Sequence, residues 1–167
     1  LLADDFFFYW VHRTLHHPKL YPYIHKRHHE FNITITMAAE YSHNFEFIFG
    51  NVLCTLSGVK ILGSKVHAVS YFVWGTYKII QSCESHTGYE FSFSPFALLP
   101  NGVTSTYHNY HHYQNVGNFQ PSFMFWDTLF GTNRSYKKYM ELLKKDEERE
   151  AKMKRAKEKQ KDRKSVV

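Results

Sequence analysis

Nine of the chain's twelve histidines fall into three short strings, and their spacing restricts the fold more than any other feature. The strings are HRTLHH (His12, His16, His17), HKRHH (His25, His28, His29) and HNYHH (His108, His111, His112). On a helix, residues three and four apart share one face. His12 and His16 have that spacing. So do His25 with His28 and His29, and His108 with His111 and His112. Three helices packed with these faces inward would gather eight or more imidazole nitrogens. That exceeds what one ion coordinates, so a two-metal site is implied. Packed together without metal, the same imidazoles would set several partly charged groups against one another. Imidazole suits zinc, copper, iron and nickel. Carboxylates are scarce in the strings, unlike the Glu and Glu-x-x-His ligands of ferritin-like bundles. Glu30, directly after the second string, and Glu90, near His86, read better as acceptors that hold an imidazole N–H. Asp127 could do the same.

The remaining residues predict an all-α protein. Of 167 residues, 43% are hydrophobic and 18% aromatic, which excludes a disordered chain and provides one domain with a core. Helices are expected over 4–17, 23–31 and 104–113, with 32–37 as a loop or short extended stretch and 92–102 as a loop. Two apolar segments, 45–63 and 66–83, flank Gly63-Ser64-Lys65 and read as an antiparallel hairpin. Each has about 18 residues, roughly 27 Å of helix, just short of a bilayer core. Lys60, Lys78 and His67 interrupt them. A buried hairpin in a soluble bundle and a membrane-inserted hairpin both fit, and the aromatic content tilts the balance to the membrane. The ordinary reading of His67 is a core or interfacial residue.

The net charge of +6 belongs to the tail. Residues 134–167 hold 14 Lys and Arg against 7 Asp and Glu, leaving the body close to neutral. The charged run has mixed signs and no aromatics from Lys144 onward, so a nucleic-acid partner is not expected. It reads as a solvated helix or extension, with an attraction to anionic lipid if a membrane is near. The domain expected from this pattern covers 1–136, with hairpin 45–83, and the tail covers 137–167. Cys54 and Cys83 exclude a disulfide scaffold and read as inert thiols. Gly58, Gly63 and Gly75 have no phosphate-loop spacing, so reducing equivalents would come from a partner protein. The opening LLADDFFFYW is no signal peptide and reads as the inside of a helix.

HRTLHH, HKRHHEF, HTGYE and YHNYHH followed by FWDTLFGT resemble, in order and interval, the fatty acid hydroxylase/sterol desaturase superfamily. The resemblance covers residues 4–136. The string HRTLHHPKLYPYIHKRHHEF, then AEYSHNFE and HTGYEF, is most similar to the C-4 methylsterol oxidase group. The resemblance implies a membrane-associated helical bundle of the endoplasmic reticulum with a non-haem di-iron site facing the cytosol. It implies O2 as co-substrate, electrons from NAD(P)H relayed by cytochrome b5 or a similar carrier, and a sterol or acyl lipid as substrate. Carried over by position, the metal ligands are His12, His16, His25, His28, His29, His108, His111 and His112, with His17 replacing or joining His16. His86, in HTGYE, is a further ligand. His43, in EYSHN, matches a family position, but Asn44 stands where the family has Pro, so it ranks with Glu30, Glu90 and Asp127. Hydroxylation or desaturation of acyl chains is the alternative within the family. A non-catalytic zinc protein is the alternative outside it.

Overall fold

The computed structural model describes residues 1–96, 98–99 and 102–165. Ala97, Pro100 and Asn101 of the expected 92–102 loop lie outside the described residues. So do the side chains at 159 and 161–165. Among the described residues the regular structure is helical, with a single bridge between Gly102 and Phe123. Two compact units divide at residues 133 and 134.

The first unit begins with α1, Leu2–Leu15. Asp4 and Asp5 occupy its first turn and His12 and Arg13 its last, which suits the helix dipole. The second histidine string was expected on an α-helix over 23–31. It instead occupies a 3-10 helix, His25–Glu30, and a second 3-10 helix covers Thr36–Glu40. The tighter coil is held from outside. His25 Nδ1 and His28 Nδ1 are each tied to groups outside the helix, and their rings stack with centroids 5.4 Å apart, as i and i+3 residues do in a 3-10 turn.

A continuous helical run then covers Asn44–Lys65. It comprises α2 (Asn44–Glu46), a π-helical turn (Phe47–Val52), α3 (Leu53–Leu62) and a 3-10 turn (Gly63–Lys65). Gly63 sits at φ +57, a conformation glycine adopts without steric cost, and lets the chain reverse. The return helix α4 is Ala68–Ser85. His43 and His67 cap α2 and α4: each Nδ1 accepts a backbone N–H, from Phe45 and Val69 respectively. Trp74 Nε1 donates to Thr55 O at 2.9 Å across the hairpin. The third string lies on α5, Ser105–Gln114, capped by Thr104 and ended by Asn115 in the left-handed region. Helix α6 is Phe125–Leu129. The second unit is a single helix, α7, Arg134–Ser165.

The first unit is apolar outside and polar inside. Asn44–Lys65 is long and apolar enough to cross a membrane, and only 17% of its most apolar window is buried. Phe45, Ile48, Ile61, Val69, Phe72 and Ile80 are all exposed. Buried instead are Asp4, Asp5, Gln81, Asn118, Gln120, Asp127 and most of the histidines. A water-soluble core has the opposite arrangement, because buried polar groups are costly unless partnered.

Candidate metal centre

Nine histidines meet at one end of the first unit, in two sets whose nitrogens lie within 4.8 Å of one another. The first set is His12, His16, His25, His29 and His111. The second is His28, His86, His108 and His112. The strings do not each serve one set. The i, i+4 pairs stay together (His12 with His16, His25 with His29, His108 with His112), while the i+3 members His28 and His111 cross to the other set.

Within each set the Nε2 atoms face each other. His12 and His25 are 3.0 Å apart, His25 and His29 3.0 Å, His29 and His111 3.1 Å, and His16 and His111 3.2 Å. In the second set, His86 lies 2.9 Å from His108 and 3.3 Å from His28, and His108 lies 3.2 Å from His112.

The opposite ring nitrogens fix the tautomers. His12 Nδ1 donates to Phe119 O (2.8 Å), His25 Nδ1 to Glu46 Oε1 (2.7 Å) and His111 Nδ1 to Gly117 O (2.6 Å). His28 Nδ1 donates to Tyr41 O (3.2 Å) and His86 Nδ1 to Ser82 O (2.7 Å). A neutral imidazole has one N–H. With it used at Nδ1, the His12–His25 and His28–His86 contacts set lone pair against lone pair. Protonation is opposed: burial, joined by the neighbouring imidazoles, lowers His12 and His86 to about 3, and burial lowers His28 to about 4. The other six are driven down further for the same reasons. A cation resolves the conflict. Two nitrogens bound at about 2.1 Å and at right angles on one ion lie ~3.0 Å apart. The donor chemistry and spacing therefore fit a pair of metal ions held by neutral imidazoles.

The other expected residues lie elsewhere. His17 is exposed and its Nδ1 accepts the Lys19 N–H, outside both sets. His43 is an exposed helix cap. Glu30 is exposed and accepts from Tyr41 Oη, and Glu90 is exposed and accepts from Thr106. Asp127 is fully buried but touches no imidazole through its hydrogen bonds. It accepts from Tyr107 Oη, Phe119 N, Gln120 N and Thr132 Oγ1. Asp5 holds the same segment from the other side through Gln120 Nε2, Ser122 N and Phe123 N. These two carboxylates fix the segment whose Phe119 carbonyl orients His12. Burial raises Asp5 to about 6. The carboxylate that does hold an imidazole is Glu46, which sequence reasoning missed. Its one signal was its place as the acid at the start of the first apolar segment.

A cavity of about 490 Å³ opens beside both sets. His12, His25, His28, His86 and His108 form one end, and its walls come from α1, the Asn44–Lys65 run and α4. The size suits a lipid-sized ligand.

The helical frame thus gathers nine histidines, in two sets able to hold metal, beside a largely apolar cavity. The fatty acid hydroxylase family model matches residues 1–132, and the chain belongs to that family. A very-long-chain aldehyde decarbonylase of Oryza sativa subsp. indica is 36% identical over 140 residues, 82% of this chain and 51% of that protein. Methylsterol monooxygenase 1 of Rattus norvegicus is 34% identical over 144 residues, 86% of this chain and 48% of that protein. Its counterpart in Danio rerio is 33% identical over 141 residues, 83% and 46% respectively. The chain thus spans about half the length of the curated relatives it matches. No solved structure matches it.

Proposed function

We propose that the protein is a membrane-bound di-iron oxygenase that hydroxylates a sterol, at a methyl group on C-4. The observation that carries this reading is the pairing of two neutral-imidazole sets with a lipid-sized cavity, in a chain whose relatives include methylsterol monooxygenases. His12, His16, His25, His29 and His111 would hold one iron, and His28, His86, His108 and His112 the other. When bound, the metals supply activation of O2. One oxygen atom enters a substrate C–H bond, and the other leaves as water with two electrons from NAD(P)H and two protons.

The chain's own residues bind, orient and exclude water. Phe8, Val11, Leu15, Phe47 and Leu56 wall the cavity with apolar surface. The Nδ1 hydrogen bonds of His12, His25, His28, His86 and His111 hold those five rings in the tautomer that presents a lone pair. The exposed apolar hairpin sits in the endoplasmic-reticulum bilayer, with the histidine end towards the cytosol, where cytochrome b5 or a similar carrier can dock. The net positive charge of residues 134–167 favours the cytosolic side of a membrane. Acyl chains are the second reading, favoured by the decarbonylase relatives.

The test is product analysis in cells lacking sterol C-4 oxidation, alongside metal analysis of the detergent-extracted protein. Two irons per chain with a 4-hydroxymethyl sterol product are expected. Iron-loaded protein that leaves sterols untouched and oxidises acyl lipids would replace the first reading by the second. Two zincs and no turnover would replace both.

A further inference from the structure

Two polar atoms near the histidine end of the cavity have no task in holding the imidazoles. Glu46 gives Oε1 to His25, but its Oε2 is buried and has no hydrogen bond among the described residues. Ser42 Oγ is in the same condition. Both residues line the cavity with His12, His25 and His28, and Glu46 is only 7% exposed. A buried acceptor or hydroxyl left unpaired is destabilising. A ligand that pairs with both would remove that cost.

A second polar cluster on the cavity wall is placed differently. Lys78 Nζ lies 2.9 Å from Asp4 Oδ2 and 2.9 Å from Gln81 Oε1. Asp4 precedes His12 by eight residues on α1, and Lys78 precedes His86 by eight at the end of α4. Both intervals amount to roughly 12 Å of helical rise. That cluster joins α1 to α4 at a distance from the histidines, whereas Glu46 is in contact with one of them.

We propose that Glu46 and Ser42 form a subsite for a hydroxyl group on the substrate, so that carbons one or two bonds from the carbinol carbon are presented to the histidine sets. The hydroxyl donates to Glu46 Oε2 and accepts from Ser42 Oγ–H. The substrate class is a lipid alcohol. An aldehyde or ketone oxygen has no hydrogen to give and could not donate to Oε2. A 3-hydroxy-4-methyl sterol meets the requirement, because its 4-methyl carbon is two bonds from the carbinol carbon. The inference rests on the reading of the cavity as the oxygenase's substrate site.

The experiment is equilibrium binding to the metal-loaded protein in detergent, with two ligand pairs. One pair is a 4-methyl-3-hydroxy sterol and its 3-ketone. The other is a long-chain alcohol and its aldehyde. The wild type should prefer at least one alcohol by roughly threefold or more, the usual worth of one net hydrogen bond. In Glu46→Gln the amide oxygen can still accept from His25, while its N–H replaces the Oε2 acceptor. That variant should keep two metals per chain and lose or reverse the preference for the alcohol. Ser42→Ala touches no histidine and should reduce alcohol binding with the metals retained. Alcohol preference unchanged in both variants overturns the subsite, as does a wild type that binds either pair without discrimination. Binding of neither pair overturns the lipid-oxygenase reading and the subsite with it.

Discussion

The second and third histidine strings are the same pattern, H-x-x-H-H, built on different backbones. His25, His28 and His29 lie on a 3-10 helix, while His108, His111 and His112 lie on the regular helix α5. Both nevertheless send their i, i+4 pair to one set and their i+3 member to the other, in reciprocal fashion. The difference lies in what holds them. The 3-10 string depends on a side chain, Glu46, and on the Tyr41 carbonyl. The α-helical string has its own hydrogen-bonded backbone and depends on one carbonyl after the helix, Gly117 O. A pattern can therefore specify a ligand exchange between two strings without specifying the coil that carries it. The irregular string needs more outside support.

The crossing residues give the largest expected effect. His28→Ala and His111→Ala each remove the member that ties one string to the other set. Each should cost at least one metal per chain and abolish turnover, with the protein still in the membrane fraction. Elemental analysis of the extracted protein reads this directly. Full metal content in either variant would break the reciprocal arrangement. Next comes Glu46→Ala, which removes the acceptor from His25 Nδ1. Losing such a partner costs about 10–100-fold in metal affinity. A chelator titration of metal-loaded protein should show that loss. An unshifted titration would make the two strings equally self-supporting.

Gly117 tests the α-helical string in the same way. It sits at φ +68, and a Cβ there would meet Thr132 O at 2.0 Å. Gly117→Ala must therefore move the carbonyl that orients His111, at a strain of about 1–3 kcal/mol. A lower melting temperature together with a weaker metal affinity is expected. Reduced stability with metal affinity unchanged would mean that the carbonyl can be replaced, by water for instance.

How much of this the sequence revealed follows from the same contrast. Helix-face spacing was enough to place His12 with His16 and His108 with His112, because the second pair lies on α5 and His16 caps α1 with its backbone still helical. It did not reveal that His28 and His111 change sides, since i+3 and i+4 look alike on a helical face until two such faces oppose each other. The 3-10 coil at 25–30 was illegible because its cause lies in Glu46 and Tyr41, which are distant from it in sequence. Nearness along the chain favours Glu30 and Glu90 as imidazole partners, yet both accept from hydroxyl groups instead. Asp127 was chosen as an acceptor and is one, but for backbone amides one step removed from His12. Long-range hydrogen bonds decide these roles, and no local pattern reports them.

The smallest effect is expected at His17, beside one of the clustered histidines. Family resemblance gives His16 and His17 nearly equal claims, since they are adjacent in one string. The end of α1 separates them. His16 is the residue just after Leu15 and its imidazole still follows His12 by one turn, so its Nε2 reaches within 3.2 Å of His111. His17 is one residue further on, about 100° around the helix axis, and turns outward to accept the Lys19 N–H. Pro18 follows and keeps the chain from continuing the helix, so His17 has no later turn in which to swing inward. His17→Ala should keep two metals and change stability by no more than ~0.5 kcal/mol, as an exposed substitution does. His16→Ala should lose metal from the first set. Equal metal loss in both variants would show that the first string shares its ligand between two residues, and the five-histidine set would then have to be redrawn around His17.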